Sequence, residues 1–360
     1  MQELATTTST ISDAVKVFVP AIISFIAGLC ITPLVSHYLY KWKLWKKTSV
    51  RKTIDGREAT ISNKLHNDEA RKTPRMGGII VWVSVGITTL LMAAVALWMP
   101  NLTTTKLTFL SRNQTWLPLF TLIIASLAGL LDDALSVSNK GKYVGGGLSL
   151  RKRLLVVFGL SIVGAWWFYV KLGVTAVHIP FDGVLNLGAL FIPFFILAML
   201  LIYSGGIIDG VDGLSGGVFI FMFTAYSVIA YSNNQVDLAT FCMVIVGGLL
   251  AFLWFNIPPA RFFLSETGTM GLTTTLTVVA FLTGEILLLP IIALPLILTT
   301  LSVIIQLVSK KFRNGKKVFL VAPLHNHFMA IGWPASKVTM RYWVFSALCA
   351  VSGIVISLIS

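Results

Sequence analysis

Five carboxylates stand where apolar stretches of this chain end: Asp132 and Asp133 in LLDDALS, Asp209 and Asp212 in IIDGVDGLSGG, and Glu266 in LSETGT. An acid at a helix end is ordinarily solvated or matched to the helix dipole. Here five of the chain's 14 acids gather in three places within a sequence of formal charge +14. Carboxylates grouped in a basic setting suit a hard divalent cation. Mg2+ takes one or two of them and completes its octahedron with water and phosphate oxygens. The adjacent pair Asp132–Asp133 would point about 100° apart on a helix, so both cannot face one ion at ideal geometry. Asp209 and Asp212, three apart, share a face if their stretch is helical. Gly210, Gly213, Gly216 and Gly217 suit either close helix packing in lipid or backbone N–H groups brought up to a phosphate or nucleotide.

Cationic and imidazole groups lie in matching places. RKTPRMGG, residues 71–78, sets Arg71, Lys72 and Arg75 around Pro74 at the start of an apolar run, an ordinary basic membrane flank or an anion contact. VAPLHNH, residues 321–327, brings His325 and His327 into a loop behind Lys310, Lys311, Arg313, Lys316 and Lys317. Histidines two apart do not share a helix face, which argues against a helical zinc pair. A loop of imidazoles and ammonium groups suits phosphate better.

The elements that must position these groups are membrane helices. The mean hydropathy is +0.85, only 12% of residues are charged, and apolar runs recur along the whole length. Each run of about 20 residues can cross a hydrocarbon core roughly 30 Å thick. The expected fold is an all-α polytopic membrane protein with ten transmembrane helices, near 17–40, 77–99, 116–131, 154–171, 187–205, 214–231, 239–256, 269–284, 286–308 and 340–359. Only Gly284–Glu285 separates the eighth from the ninth. The first run is long and no small-residue cleavage site precedes a soluble domain, so it reads as a span and not as a removable signal.

Orientation follows from basic residues. With residue 1 outside, the cytoplasmic loops are 41–76, 132–153, 206–213, 257–268 and 309–339, and with Arg341 at the edge they hold 24 of the 28 Lys and Arg. Both termini are therefore expected outside. The split also accounts for the positive charge without nucleic acid, since basic loops beside a bilayer attract anionic headgroups. Cys30, Cys242 and Cys349 fall in apolar runs with no CxxC spacing and read as small buried hydrophobes.

Taken together, TPRMGG (73–78), LLDDALS (130–136), IIDGVDGLSGG (207–217), LAFLWFNIPPARFFLSETGT (250–269) and APLHNHFMAIGWPASKVTMRYW (322–343) resemble, in order and spacing, the phospho-N-acetylmuramoyl-pentapeptide transferases. These belong to the polyprenyl-phosphate N-acetylhexosamine-1-phosphate transferases. The likeness covers nearly the whole chain, 1–360, as one integral-membrane transferase domain with its active site at the cytoplasmic face of the bacterial inner membrane. It implies that undecaprenyl phosphate attacks the sugar-linked phosphate of UDP-MurNAc-pentapeptide, giving lipid I and UMP with Mg2+ as cofactor. Catalysis of such a displacement is mainly positioning and neutralisation of charge. The family is often dimeric, so a homodimer is one assembly the resemblance allows.

Residue by residue, the resemblance implies catalytic roles for Asp132, Asp133 and Glu266, with one of the acidic pair engaging the lipid phosphate. It implies metal ligation by Glu266 and Asp209. Asp209, Asp212 and Asn256 would bind substrate, as would His325 and His327, Arg153, Lys72 and Arg75. The chain departs from the family pattern at several of these motifs. Tyr203 and Gly206 stand at the two asparagines before the DGVDG acids, and Ile208 at the threonine. Ser265 and Glu266 replace Gly and Asp, Asn326 replaces the middle histidine, Arg75 a threonine, and Ser136 the lysine after the acidic pair. Three other readings share some features. One is a related GlcNAc-1-phosphate or other hexosamine-1-phosphate transferase, and another is a catalytically impaired relative. The third is an ion-coupled transporter, against which stand acids on one face and no repeat between the halves.

Overall fold

The computed structural model describes residues 2–45, 72–138 and 147–360, with side chains described from residue 13 onward in the first segment. Arg71, Lys140, Lys142 and the other basic residues of 46–71 lie outside the described residues. The protein is a helical bundle whose first helix, α1, runs Gln2–Lys41. It is followed by α2 (Ile79–Trp98), the short α3 (Leu102–Leu107), α4 (Trp116–Val137) and α5 (Leu150–Trp166), with a π turn at Trp167–Lys171. After a hairpin come α6 (Phe191–Ser204), a 3-10 turn at Gly205–Ile208, α7 (Leu214–Ser232), α8 (Val236–Asn256) and α9 (Ser265–Leu282). The chain ends with α10 (Leu289–Ile292), α11 (Leu294–Phe312), α12 (Leu324–Ala330) and α13 (Ala335–Ile359).

Among the described residues, nine helical segments are long and apolar enough to cross a membrane, so this is a multi-pass membrane protein. The expected eighth span, 269–284, is not among them. It corresponds to α9, whose sequence SETGTMGLTTTLTVVAFL is rich in threonine. Apart from Glu266 and Leu282, α9 is buried throughout, because α4, α6 and α2 pack around it. A helix sheathed by protein has no need of a lipid-compatible surface. Several of its hydroxyls are satisfied by its own backbone: Thr273 donates to the Thr269 carbonyl at 2.7 Å and Thr274 to that of Met270 at 2.7 Å.

The expected ninth span, 286–308, has its counterpart at Leu294–Phe312, and only its beginning differs. That beginning is a 3-10 turn at Ile286–Leu288 followed by α10, with a break at Ala293 before α11. Pro290 and Pro295 each occupy the start of a helix, where a missing N–H does no harm, and both would disrupt a continuous one. The expected all-α fold gains one β element. Ala176–Ile179 pairs antiparallel with Gly183–Asn186, His178 facing Val184, across the turn Pro180–Phe181–Asp182.

Outer helices turn apolar side chains outward. On α1, Phe18, Ile22, Ile26 and Leu34 are all exposed at multiples of four, the stripe a lipid-facing helix presents. Cys30 falls on that stripe and is exposed, contrary to its expected burial, while Cys242 and Cys349 are buried. Its apolar surroundings in sequence are lipid-facing and not core. The centre is α8, packed against α1, α7 and α2.

Candidate active site

Two close backbone approaches bring the motifs together. A Cβ on Gly78 would run into the backbone of Gly268, and one on Gly129 into the carbonyl of Glu266. The starts of α2 and α9 and the end of α4 thus meet without intervening side chains. The segment before α2 is tied to the loop before α9 by a short ladder. Gly77 N donates to Phe263 O at 2.8 Å, Gly78 N to Leu264 O at 3.1 Å, and Phe263 N to Pro74 O at 2.9 Å. RMGG, LLDDALS and LSETGT are therefore neighbours in space.

The acidic pair lies within α4, not in the loop expected to begin at 132, and Arg153 lies in the first turn of α5. Both acids are fully buried, and they face different partners, as the 100° offset requires. Asp133 accepts from Arg75 Nε at 3.0 Å, and its other oxygen accepts from Thr267 N at 2.9 Å and Thr267 Oγ1 at 2.7 Å. Asp132 is paired with Arg153 Nη2 at 2.9 Å and accepts the Leu148 N–H. Gly147, with φ +78°, lets the chain turn against Asp132, since a Cβ there would lie 2.9 Å from its Oδ1.

Arg153 reaches across to Glu266 as well, pairing Nη1 with Oε1. Arg153 thereby bridges α4 and α9. Its side chain is 22% exposed and that of Glu266 20%, while Asp132 and Asp133 are at 0%. The accessible rim of the cluster is thus Arg153, Glu266 and Arg75, with the acidic pair behind it. Tyr203, at the end of α6, lies beside the Glu266–Arg153 pair. Burial pushes the Glu266 carboxyl up to about 7, against the opposing pull of Arg153. Burial also works against the Arg75 charge, but the adjoining Asp133 carboxylate more than restores it, so Arg75 is held above its ordinary range.

The DGVDG acids were expected to share a face if helical. The stretch is not helical there: the 3-10 turn ends at Ile208, and Gly213 takes a left-handed conformation with φ +75° before α7 begins. The acids diverge accordingly. Asp209 accepts from Ser215 Oγ at 2.7 Å and from Ser265 N at 2.7 Å, which places it one residue from Glu266. Burial raises its carboxyl above the ordinary range, and the two hydrogen bonds oppose that shift. Asp212 instead accepts from Ala260 N at 3.0 Å. Asn256 closes the loop, accepting from Gly213 N at 2.9 Å and donating to Phe262 O at 2.8 Å.

HNH is on the helix α12, not in a loop. Its two histidines diverge: His325 is buried against Gly210, where a Cβ would lie 2.7 Å from Nε2. His327 turns to Phe319 and accepts from Leu320 N at 3.3 Å. Only His325 reaches the DGVDG turn. Lys72 is exposed.

Several positioning residues escaped the sequence reading. Thr339 donates to the Asp212 carbonyl at 3.0 Å and Trp343 Nε1 to that of Gly213 at 3.1 Å. Both belong to α13 and lie four apart, one face of a helix, a spacing visible in the sequence. Ser215 and Thr267 sit inside the quoted motifs, but nothing in a hydroxyl's sequence position reveals which carboxylate it meets. Ser265 has φ +57°, a conformation that favours glycine, and glycine is what the resembling family has at that position.

Asp209 and Glu266 provide two hard carboxylates at one rim, the donor type Mg2+ takes. Among the described residues no group of three His, Cys, Asp or Glu side chains could hold a metal ion. Any ion here would complete its shell from substrate and water.

Residues 115–284 match the model of glycosyl transferase family 4. The chain is 36% identical to a phospho-N-acetylmuramoyl-pentapeptide-transferase of Geobacillus sp. (strain WCH70), over 93% of this chain and 96% of that protein. It is 34% identical to one of Geobacillus thermodenitrificans over 93% and 95%, and 32% identical to one of Bacillus anthracis over 94% and 97%. With likeness running through nearly the full length of both partners in each comparison, around a site where five dispersed motifs converge, this chain belongs to the phospho-N-acetylmuramoyl-pentapeptide transferase family.

Proposed function

We propose that the protein transfers phospho-MurNAc-pentapeptide from UDP-MurNAc-pentapeptide to undecaprenyl phosphate, giving lipid I and UMP, at the cytoplasmic face of the bacterial inner membrane. The observation that carries the reading is the Arg75–Asp133 and Arg153–Asp132/Glu266 cluster beside Asp209. Cations and carboxylates converge there at the ends of α4 and α9, where a membrane-borne phosphate and a soluble nucleotide can meet.

In the reaction a lipid phosphate oxygen forms a bond to the sugar-linked phosphorus, and the bond to the UMP phosphate breaks. Arg153 and Arg75 stand at the accessible rim, suited to hold phosphate oxygens. Asp132 and Asp133, buried behind them, orient the two guanidiniums. Glu266 and Asp209 are the residues suited to hold Mg2+, which would neutralise charge on the bridging oxygens. His325 and Asn256 support the DGVDG turn from opposite sides. An apolar cavity of about 270 Å3, lined by Leu298, Leu324, Phe328, Val338 and Phe345 among others, adjoins the HNH helix and suits a lipid chain.

The test is purified protein with labelled UDP-MurNAc-pentapeptide, undecaprenyl phosphate and Mg2+. Formation of lipid I is expected. Product from UDP-GlcNAc instead would move the assignment to a hexosamine-1-phosphate transferase, and no product from either donor would refute the enzyme reading.

A further inference from the structure

We propose that Arg75 is a fixed cation at the rim of this site, a positioning residue that holds Asp133 and weakens the site's grip on a divalent ion. The inference rests on the transferase reading above and concerns how the site's charge is balanced.

Arg75 is placed by its backbone before its side chain makes any contact. Its N–H donates to Leu44 O at 2.8 Å, and its neighbours Pro74 and Gly77 are paired with Phe263 on the facing strand of chain. From that anchor Nε meets Asp133 Oδ1 at 3.0 Å. Asp133 is at 0% exposure, and Thr267 occupies its other oxygen through both N–H and hydroxyl. Asp133 is thus saturated by protein groups.

Asp133 accepts from Thr267 N and Asp209 from Ser265 N, so the backbone on either side of Glu266 is held by these two acids, and Arg75, on Asp133, stands beside both candidate metal-binding carboxylates. Divalent affinity depends on the negative charge around the ion as well as on its ligands. Asp132, Asp133, Asp209 and Glu266 are the acids of this cluster, and Arg75 and Arg153 are its cations. Removing the Arg75 charge takes away one positive charge and leaves the site that much more negative. A neighbouring cation within several ångströms opposes a dication by an amount worth roughly tenfold in affinity, even in a well-screened rim.

The experiment compares wild type, Arg75→Gln, Arg75→Lys and the double variant Arg75→Gln/Asp133→Asn. Binding is read without substrate, as the Mg2+ concentration that half-saturates thermal stabilisation and as Mn2+ binding followed by electron paramagnetic resonance. Turnover is read separately. Arg75→Gln is expected to lower the half-saturating concentration about tenfold, and Arg75→Lys to keep the wild-type value. The double variant, whose net charge is unchanged, is also expected to keep it.

An unchanged or higher half-saturating concentration in folded Arg75→Gln overturns the proposal, and so does an Arg75→Lys that behaves like the glutamine variant. If Arg75→Gln does not fold, the double variant decides: a tenfold shift there overturns the proposal, and a wild-type value supports it. These binding readouts stand apart from the transferase reading, which fails only if wild type makes no product.

Discussion

Arg153 ion-pairs with a carboxylate on α4 and with one on α9, and its removal gives the sharpest test of the site's electrostatics. Arg153→Met keeps much of the stem's volume and deletes the charge. Asp132, fully buried, would retain only the Leu148 N–H, and Glu266 would lose its ion-pair partner. Breaking a buried pair on one side costs about 3–5 kcal/mol. The guanidinium is 22% exposed, so solvent screens part of the loss and about 2.5–3 kcal/mol is the better figure. At about 2 cal/mol/K per residue over 360 residues, that is a fall of roughly 3–4 °C in unfolding temperature. The assay is thermal unfolding in detergent for Arg153→Met, Asp132→Asn/Glu266→Gln and the triple variant. Because the loss comes from stranded carboxylates, the triple variant should unfold above Arg153→Met, with a coupling of at least about 1 kcal/mol. A fall under about 1 °C, or strictly additive effects, would refute the argument.

Gly129→Ala should cost about 1–3 kcal/mol through overpacking against the Glu266 carbonyl, and should lower turnover about a hundredfold by shifting that residue. Gly86→Ala, with open space at its Cβ, is the control expected to change neither unfolding temperature nor rate. Ser265→Val should destabilise by over about 1 kcal/mol, because a β-branched residue at φ +57° is strained. Ser265→Gly should be neutral to about 1 kcal/mol more stable in the same unfolding assay. Asp209 has a carboxyl raised by burial, so without Mg2+ the wild type should gain stability as pH falls. That gain is full below the unfolded value of about 3.9 and is lost as pH rises through the raised native value. Asp209→Asn should therefore exceed wild type in unfolding temperature at pH 7 in EDTA, and the gap should close toward about pH 4. A wild type more stable than the variant at pH 7 would contradict this.

Most of the fold was legible because lipid imposes a one-dimensional rule. A helix facing hydrocarbon must be apolar over its length, so the spans of α1, α2, α5, α6 and α13 could be read from runs alone. The rule fails where lipid is absent. α9 is enclosed by other helices and is free to carry threonines, and the α10–α11 break is a proline effect inside an apolar run. The pairing of Asp132 and Asp133 with different partners was also legible, since adjacent residues on a helix diverge. The diverging Asp209 and Asp212 were not, because a 3-10 turn and a left-handed Gly213 replace the helix their spacing allowed.

By itself the sequence determined the class of protein, the family, and the residues that carry charge toward one site, because composition and motif order are linear properties. Only the tertiary structure decided who pairs with whom. Arg75 and Arg153 turned out to be bound to carboxylates, the acidic pair to be buried behind a rim of guanidiniums, and His325 but not His327 to reach the DGVDG turn. Those outcomes depend on backbone approaches at Gly78 and Gly129 between elements more than 130 residues apart, and distances of that kind arise only from packing.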